Sequence, residues 1–436
     1  MLRTIATLII FSCSIYAQAP DPQLLSDINK IKAIDNHAHP LRYVGQGDKP
    51  DDEFDALPLD AIESIILPVR LSLDNAEFIG AWKHFYSYAY DDMSPTHVAE
   101  LLRVKSQVYQ REGDRFPNWV LDQLNIETMF ANRVAMGRGL APPRFRWVSF
   151  VDALIFPLSN EGAKKSNRDY AGFYPGEEKL LNRYLTDLGL KALPQTLDQY
   201  LSKVVTATLE RQKKEGVVAL KYEVAYLRAL DFGEPDMRNA SATYARFIRG
   251  GVPPADSYKV LQDSIFHYIA REAGRLSLAI HIHVVDGAGS YYRPSGSNPL
   301  LLERTFNDPE LRKTNFVLVH GGAPFTSNVT SLFGKPNVYA DISAQTFLTY
   351  PRALSQVLRS WLESYPDRVL FGTDAFSFGA AIDWPEVAWL SNASARQALA
   401  MALSGMIDDG EITRERALEL AQMVLRENAR RLYKLP

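Results

Sequence analysis

Three side chains that bind metals or protons stand at alternate positions in the stretch IDNHAHP, residues 34–40. Alternate residues of a β-strand face the same side, so Asp35, His37 and His39 are expected on one face, with Pro40 ending the strand. Neutral imidazole is a good ligand for zinc and similar divalent ions, and two imidazoles at this spacing can reach one ion. The alternative is a pair of hydrogen-bonded histidines at a strand end.

Similar side chains recur at the ends of other apolar runs. His281 and His283 lie in IHIHVV, and His320 closes FVLVH. Asp374 closes VLFGTD. In a parallel barrel the carboxyl ends of all strands meet at one mouth, where polar side chains are usually functional. Five of the eight histidines are therefore predicted to gather there, which core packing does not explain.

Lys221 and Glu223 lie two residues apart in the apolar run VVALKYEVA. A buried lysine is costly unless it is paired or chemically modified. Three interpretations stay open: an ion pair with Glu223, a carbamylated Lys221 that bridges two metals, and a cationic Lys221 that binds a substrate carboxylate.

Strand-like runs alternate with segments of helical period, which predicts an α/β protein with a parallel sheet covered by helices. Eight such runs fit a (β/α)8 TIM barrel. One domain is expected over 20–436, with helical cap insertions at about 45–118 and 158–215, a loop at 286–299 over the mouth, and a C-terminal helix across the barrel exterior. The predicted strands are 32–38, 126–133, 145–155, 217–225, 277–284, 315–320, 337–343 and 368–375.

The charge balance argues against some partners. Forty-eight basic and 51 acidic residues give a formal charge of -3, and no Lys/Arg block stands out that could follow a phosphate backbone. Nucleic acid is therefore not expected. After the N-terminal segment, no run approaches the roughly 20 apolar residues that span a bilayer, so no transmembrane segment is expected. A small-molecule substrate is the expected partner, and a homo-oligomer stays open.

The N-terminal segment has the layout of a signal peptide. Arg3 precedes an apolar run, and small residues follow at Ala17 and Ala19. Cleavage after residue 19 and export to the periplasm or medium are expected, with lipidation at Cys13 as the alternative. Cys13 is the one cysteine, so a metal site in the mature chain must use His, Asp, Glu or modified Lys.

The ordered motifs resemble the amidohydrolase superfamily, in its family 2 branch. They are Asp-x-His-x-His at residues 35–39, His283 in strand five, HGG beginning at His320, and FGTDA around Asp374. The run from NPLLLE through VLVHGG and NVYADIS to ENARRLYKL is most similar to the amidohydrolase domain fused to glutamine synthetase in some fungal and nodulin-like proteins.

The resemblance implies a TIM barrel of the metal-dependent hydrolase type and assigns roles to its residues. It implies His37, His39 and Asp374 as ligands of one or two zinc-type ions, with His283 as a further ligand. His320 is placed near the metal or substrate, and Lys221 where two-metal members carry a carbamylated lysine. His281 is additional to the family pattern and is expected to support the site or the substrate.

These groups suggest hydrolysis of an amide, lactone or ester by a metal-activated water. Asp374 could move a proton and His320 could stabilise an oxyanion. Asn132, Arg133 and Arg293 are candidates for binding a carboxylate-bearing substrate, and Glu223 also faces it. A metal-dependent decarboxylase of the same branch is the alternative, as is a barrel that has lost catalysis and binds only.

Overall fold

A computed structural model describes residues 19–45, 47–57 and 68–435. The predicted signal segment and Cys13 lie outside these ranges. In the described residues, eight parallel strands form one sheet in the order β1 to β8, which confirms the predicted (β/α)8 barrel. The strands are β1 (Ala33–Ala38), β2 (Ile126–Asn132), β3 (Phe145–Phe150), β4 (Val217–Tyr222), β5 (Ala279–His283), β6 (Phe316–Val319), β7 (Val338–Asp341) and β8 (Val369–Leu370).

The barrel is closed by hydrogen bonds between β1 and the segment after β8. Asn36 N donates to the Phe371 carbonyl at 2.9 Å, and Asp374 N donates to the His37 carbonyl at 2.7 Å. His39 N donates to the Ala375 carbonyl at 2.8 Å. Because backbone groups buried in a protein must be paired, these bonds fix the register of the two chain segments. The first and last strand ends are thereby held side by side.

Alternate residues of each strand face two different apolar environments, one on each side of the sheet. Ile34, Phe130, Val148 and Val317 belong to one cluster of buried residues on the inner side of the sheet. Their neighbours in sequence pack on the other side, against the helices. This period of two is the pattern by which the strands were predicted, and it directs polar residues such as Lys221 into the barrel.

Helices cover the outside of the barrel. Within the described ranges, no helix has the length and apolar composition needed to span a bilayer. The α-helices are α1 (Pro22–Asn29), α2 (Glu77–Tyr86), α3 (Pro95–Glu112), α4 (Phe116–Gln123), α5 (Glu161–Ser166), α6 (Tyr174–Asp187), α7 (Leu197–Tyr200), α8 (Ala207–Lys214), α9 (Met237–Phe247), α10 (Ala255–Leu276), α11 (Glu303–Asn307), α12 (Thr326–Leu332), α13 (Gln345–Leu348), α14 (Pro351–Leu362), α15 (Trp384–Asp408), α16 (Arg414–Gln422) and α17 (Asn428–Tyr433).

Two long connections carry additional helices. The connection from β1 to β2 contains α2 to α4, and that from β3 to β4 contains α5 to α8. Helix α15 begins with a capping box formed by Asp383 and Glu386, which satisfies free backbone N–H groups of its first turn. Glu386 also forms a buried 2.5 Å ion pair with Lys105 of α3. The first connection is therefore attached to the barrel's outer layer by a charged contact as well as by apolar packing.

The expected position of the C-terminal helix was wrong for its last turns. Ala429 belongs to the inner cluster, and Tyr433 packs against it. The Tyr433 ring centroid lies 4.5 Å from that of Phe130. The helical period identifies an apolar face but not the surface against which that face packs. Here the end of the chain packs inside the barrel.

Candidate metal centre

His37, His39 and Asp374 converge at the seam where the barrel closes. Nε2 of His37 lies 3.1 Å from Oδ1 of Asp374, and Nε2 of His39 lies 3.5 Å from the same oxygen. The two Nε2 atoms are 3.3 Å apart. One ligand atom from each residue falls within 4.8 Å of the others. Two imidazole nitrogens and a carboxylate oxygen suit a zinc-type divalent ion.

Asp35 does not share the face of the two histidines, contrary to the expectation from alternate spacing. Its carboxylate accepts hydrogen bonds from N and Oγ1 of Thr373, at 2.9 and 2.5 Å, and from His37 N at 3.2 Å. The pairing of β1 with β2 shifts register between Asp35 and Ala38, which breaks the period of two. Asp35 therefore supports the segment that carries Asp374.

Two of the converging residues have left-handed backbone conformations. Asp374 has φ 55° and His320 has φ 70°, values that few non-glycine residues adopt and that often mark functional sites. Gly321 follows His320 with φ 58°, and a Cβ there would come within 2.5 Å of Trp361 and Gln345. The HGG motif thus has a steric requirement for glycine beside the site.

Lys221 faces the centre more closely than it faces Glu223. Its Nζ lies 3.3 Å from Nε2 of His37 and 3.8 Å from Oε1 of Glu223. Both residues are buried. The longer distance is outside hydrogen-bond range, so this carboxylate does not fully pair the lysine.

His283 and His320 form a second pair of imidazoles beside the first. Nε2 of His320 lies 3.1 Å from Nδ1 of His283, and Nδ1 of His320 lies 3.7 Å from Oδ2 of Asp374. The ring centroids of His37 and His320 are 5.0 Å apart. Four histidines and one aspartate thus lie close together, with Lys221 beside them.

Burial favours the uncharged forms of these side chains. Loss of solvation lowers the pKa of His37, His283 and His320 well below the usual range, and the positive charge of Lys221 lowers it further. Burial also raises the pKa of Asp374 to about 7, opposed by His39 and Lys221. Neutral imidazoles can donate a lone pair to a cation, and a cation would favour the ionised carboxylate.

Buried carboxylates that the sequence interpretation missed border the centre. Oδ2 of Asp55 lies 3.0 Å from Nδ1 of His39, and Asp55, His39 and Glu223 form a second group whose ligand atoms lie within 4.8 Å. Among the described residues, Oε2 of Glu223 and both carboxylate oxygens of Glu177 are buried without hydrogen-bond partners. Buried negative charge of this kind requires a cation or a proton, which is consistent with a metal in the neighbouring group.

Further polar residues support the histidines. The Asn132 amide contacts Nδ1 of His37 at 2.9 Å and donates to the Ala38 carbonyl at 3.1 Å. Asp341 and Ser343 contact His320. A polar pair at the carboxyl end of β7, in NVYADIS, was a signal that could have identified these two residues. Asp55 lies in the first long connection, where no comparable pattern marks it.

Arg133 is not available to bind substrate, so its predicted role is corrected. Its guanidinium is fully buried and bonds to both oxygens of Asp51, at 2.6 and 3.0 Å. It also donates to the carbonyls of Pro40 and Ala135. Asp51 lies far away in sequence, in the first long connection, so the pairing could not be inferred from strand patterns.

Two other candidates lie apart from the converging histidines. Nε2 of His281 lies 2.7 Å from the Tyr433 hydroxyl, so this ring is engaged inside the barrel rather than presented to a substrate. Arg293 is exposed on the connection after β5, and no contact among the described residues joins it to the centre. The expected loop there does exist between β5 and α11.

Comparisons with known proteins bear on the family of the chain and on its fold. The family model for amidohydrolases matches residues 198–435. Protein fluG of Emericella nidulans is 28% identical over 229 residues, which cover 50% of this chain and 26% of fluG. The chain thus spans about a quarter of the length of this curated relative.

Solved structures share the fold at low sequence identity. A protein classed as a metal-dependent hydrolase from Lactobacillus casei superposes with a TM-score of 0.59 at 15% identity, covering 96% of this chain and 98% of that one. A uronate isomerase from Thermotoga maritima gives a TM-score of 0.60 at 13% identity, covering 83% and 79%. At these identities the similarity establishes the fold alone.

We predict that Arg133→Met destabilises the fold. Removing Arg133 from this buried ion pair leaves Asp51 with the more distant Arg42 guanidinium at 3.7 Å and should lower the free energy of unfolding by about 3–5 kcal/mol, as measured by urea denaturation. The exposed Arg293→Met is the matched control and should change it by less than about 0.5 kcal/mol. Equal stability of the two variants would contradict the structural role of Arg133.

Proposed function

Because the chain belongs to the amidohydrolase family, we propose that it is a metal-dependent hydrolase that cleaves an amide, lactone or ester bond of a small molecule. The observation that carries the proposal is the convergence of His37, His39 and Asp374 within 4.8 Å. These three come from the end of the first strand and from the segments that follow the first and last strands, so their meeting has no explanation in local sequence. Enzyme chemistry of the amidohydrolase superfamily accounts for it directly.

We assign His37, His39 and Asp374 as the residues that would hold the ion, and zinc as the metal that best suits their nitrogen and oxygen donors. His283 and His320 would provide further ligands at the adjoining pair. A bound divalent ion supplies a Lewis acid and lowers the pKa of water towards neutrality. The unpaired carboxylate oxygen of Glu223 nearby fits the presence of positive charge.

Asp374 is the residue proposed to move protons. Its Oδ1 faces His37 and His39, and its Oδ2 points towards His320. A carboxylate in this position can accept the proton of the attacking water and deliver it to the leaving group. Burial raises the pKa of Asp374 to about 7, and a bound cation would lower that pKa again and keep the carboxylate ionised and able to accept a proton.

The surroundings of the centre no longer favour the carboxylate-bearing substrate that the sequence suggested. A carboxylate-bearing substrate was expected to meet arginines, but Arg133 is engaged with Asp51. The groups that border His39 are instead Asp55 and Glu223, both acidic. Lys221 is the buried basic residue at the centre, and the proposed role of Glu223 is to accept hydrogen bonds from substrate.

We also propose that the protein is exported through residues 1–19, because that segment has a charged start, an apolar run and small residues before the expected cleavage site. N-terminal sequencing of the protein recovered from a bacterial periplasm should begin at Pro20. A mature chain that starts at a lipid-modified Cys13 would replace this proposal with membrane anchoring.

We predict that Asp374→Asn abolishes turnover while leaving the barrel folded. Loss of a proton carrier and metal ligand should lower kcat/KM by at least about 10²–10⁴-fold, measured on an ester, lactone or amide that the wild-type protein cleaves. Asp367→Asn, at a half-exposed aspartate just before β8, is the matched control and should keep wild-type rates.

Reaction in ¹⁸O-labelled water separates the reaction classes. Incorporation of the label into the organic product supports hydrolysis. Release of carbon dioxide with no label in the organic product would instead support decarboxylation. Wild-type activity in Asp374→Asn would contradict the mechanism in either class.

Metal stoichiometry tests the state of Lys221. Because Nζ lies outside hydrogen-bond range of Glu223 and faces His37, we favour a carbamylated Lys221 that joins two ions. The wild-type protein, loaded with zinc in bicarbonate buffer, should then hold two ions per chain by elemental analysis, and Lys221→Met should hold one. One ion per chain in both proteins would instead support a cationic lysine.

A further inference from the structure

Beneath His320, the carboxylate of Asp341 collects hydrogen bonds from several directions. Its Oδ1 accepts from His320 N at 2.9 Å, from Ser343 N at 3.0 Å and from the Ser343 hydroxyl at 2.5 Å. Its Oδ2 accepts from the Asn36 amide at 2.7 Å. Asp341 is completely buried. All four partners are donors, so this carboxylate acts only as an acceptor, which is the behaviour of its ionised form.

The Ser343 hydroxyl stands between Asp341 and His320. Its oxygen lies 2.5 Å from Oδ1 of Asp341 and 2.9 Å from Nδ1 of His320. A serine has one hydroxyl proton and can donate it to one of these neighbours only. The carboxylate is the closer and stronger acceptor, because hydrogen bonds to an ionised group are shorter and stronger than neutral ones. The serine oxygen is then left to accept a hydrogen bond from Nδ1–H of His320.

The surroundings of Nδ1 support this placement of the proton on His320. A further acceptor near Nδ1, Oδ2 of Asp374 at 3.7 Å, is too distant for a hydrogen bond but would favour the same tautomer. Nε2 of His320 therefore bears a lone pair, and this atom faces Nδ1 of His283 at 3.1 Å.

The strand ends that form this arrangement are packed without spare room. A Cβ at Gly372 would lie 2.9 Å from Cβ of Ser343 and 3.5 Å from the Asp341 carboxyl carbon. The Gln345 amide donates to the His320 carbonyl at 3.0 Å. Asn36 is itself held from below, because the Tyr433 hydroxyl donates to its Oδ1 at 2.5 Å. The Asp341 and Ser343 side chains consequently have few alternative positions.

We propose that Ser343 and Asp341 are positioning residues that fix His320 as its Nδ1–H tautomer, so that Nε2 is presented to the centre as an acceptor. The expected consequence, that Nε2 binds a cation, rests on the proposed function. The tautomer itself does not depend on that function. It assigns His320 to ligation and argues against donation of a hydrogen bond from Nε2 to an oxyanion. A ring with its proton on Nε2 would be needed for that second role.

The tautomer can be measured directly in chelator-treated protein. Long-range ¹H–¹⁵N spectra of ¹⁵N-histidine-labelled protein distinguish Nδ1–H from Nε2–H rings, and the His320 signals are those lost in His320→Gln. The wild-type protein should show Nδ1–H at His320. An Nε2–H ring in the wild-type spectrum would overturn the proposal, and this result needs no substitution of the serine.

Variants of Ser343 supply the second test. Ser343→Ala removes the acceptor at Nδ1 and should increase the Nε2–H form, while Ser343→Thr keeps the hydroxyl and should retain the wild-type tautomer. The dissociation constant for zinc, measured by competition with a chromophoric chelator, should rise about 10–100-fold in Ser343→Ala, the usual effect of removing a supporting hydrogen bond. Ser355→Ala is the matched control, since its hydroxyl bonds to the Arg352 carbonyl in α14, away from the centre.

The outcomes separate the two proposals. Nδ1–H at His320 in a protein that does not bind zinc would defeat the metal-dependent function and leave the positioning role intact. Tight zinc binding together with an unchanged tautomer and affinity in Ser343→Ala would defeat the positioning role and leave the function intact.

Discussion

The hydrogen bonds that join β1 to the segment after β8 are the constraint on which the rest of the site depends. They pair Asn36, His37 and His39 with backbone groups of residues 371–375, so residues from opposite ends of the chain become neighbours. The same backbone contacts place the imidazole nitrogens within 3.5 Å of the Asp374 carboxylate. Asp35 reinforces this contact by accepting hydrogen bonds from Thr373. A barrel whose seam slipped by one residue would lose both the closure and the ligand geometry together.

Burying polar groups inside the barrel costs free energy, and these groups are arranged so that hydrogen bonds reduce that cost. Below the centre, the polar residues are paired with one another: Asp341 with four donors, and Asn36 with the Tyr433 hydroxyl. At the centre, Glu223 retains a buried oxygen without a partner among the described residues, and Lys221 stands 3.8 Å from its other oxygen. A better satisfied layer thus supports a less satisfied one, which is the arrangement expected where a cation and a substrate complete the interactions.

The sequence predicted the parts of the molecule that follow a simple period. All eight strands lie inside their predicted ranges, because alternating burial is a local property of each run. His37, His39 and Asp374 could be grouped because barrel strands all end at one mouth. The errors arose where geometry departs from the period or depends on a distant partner. The register shift in β1 moved Asp35 away from the histidines, Asp51 engaged Arg133 from a long connection, and the last helix turned inward. Asp341 was visible at the end of β7 but had no motif to single it out.

The barrel and its long connections contribute different parts of the centre. The strands and the residues directly after them supply the histidines, Lys221 and Asp374, whose positions are fixed by backbone hydrogen bonds of the sheet and its closing seam. The connections supply Asp55 from the first insertion and Glu177 from α6, and these carboxylates approach the same region. Connections can vary in length and composition without disturbing the sheet. The same reactive residues on the strands can therefore be surrounded by different residues from the insertions. The acidic surroundings of His39 are therefore a property of this chain's insertions, and they explain why a substrate class inferred from strand residues alone required revision.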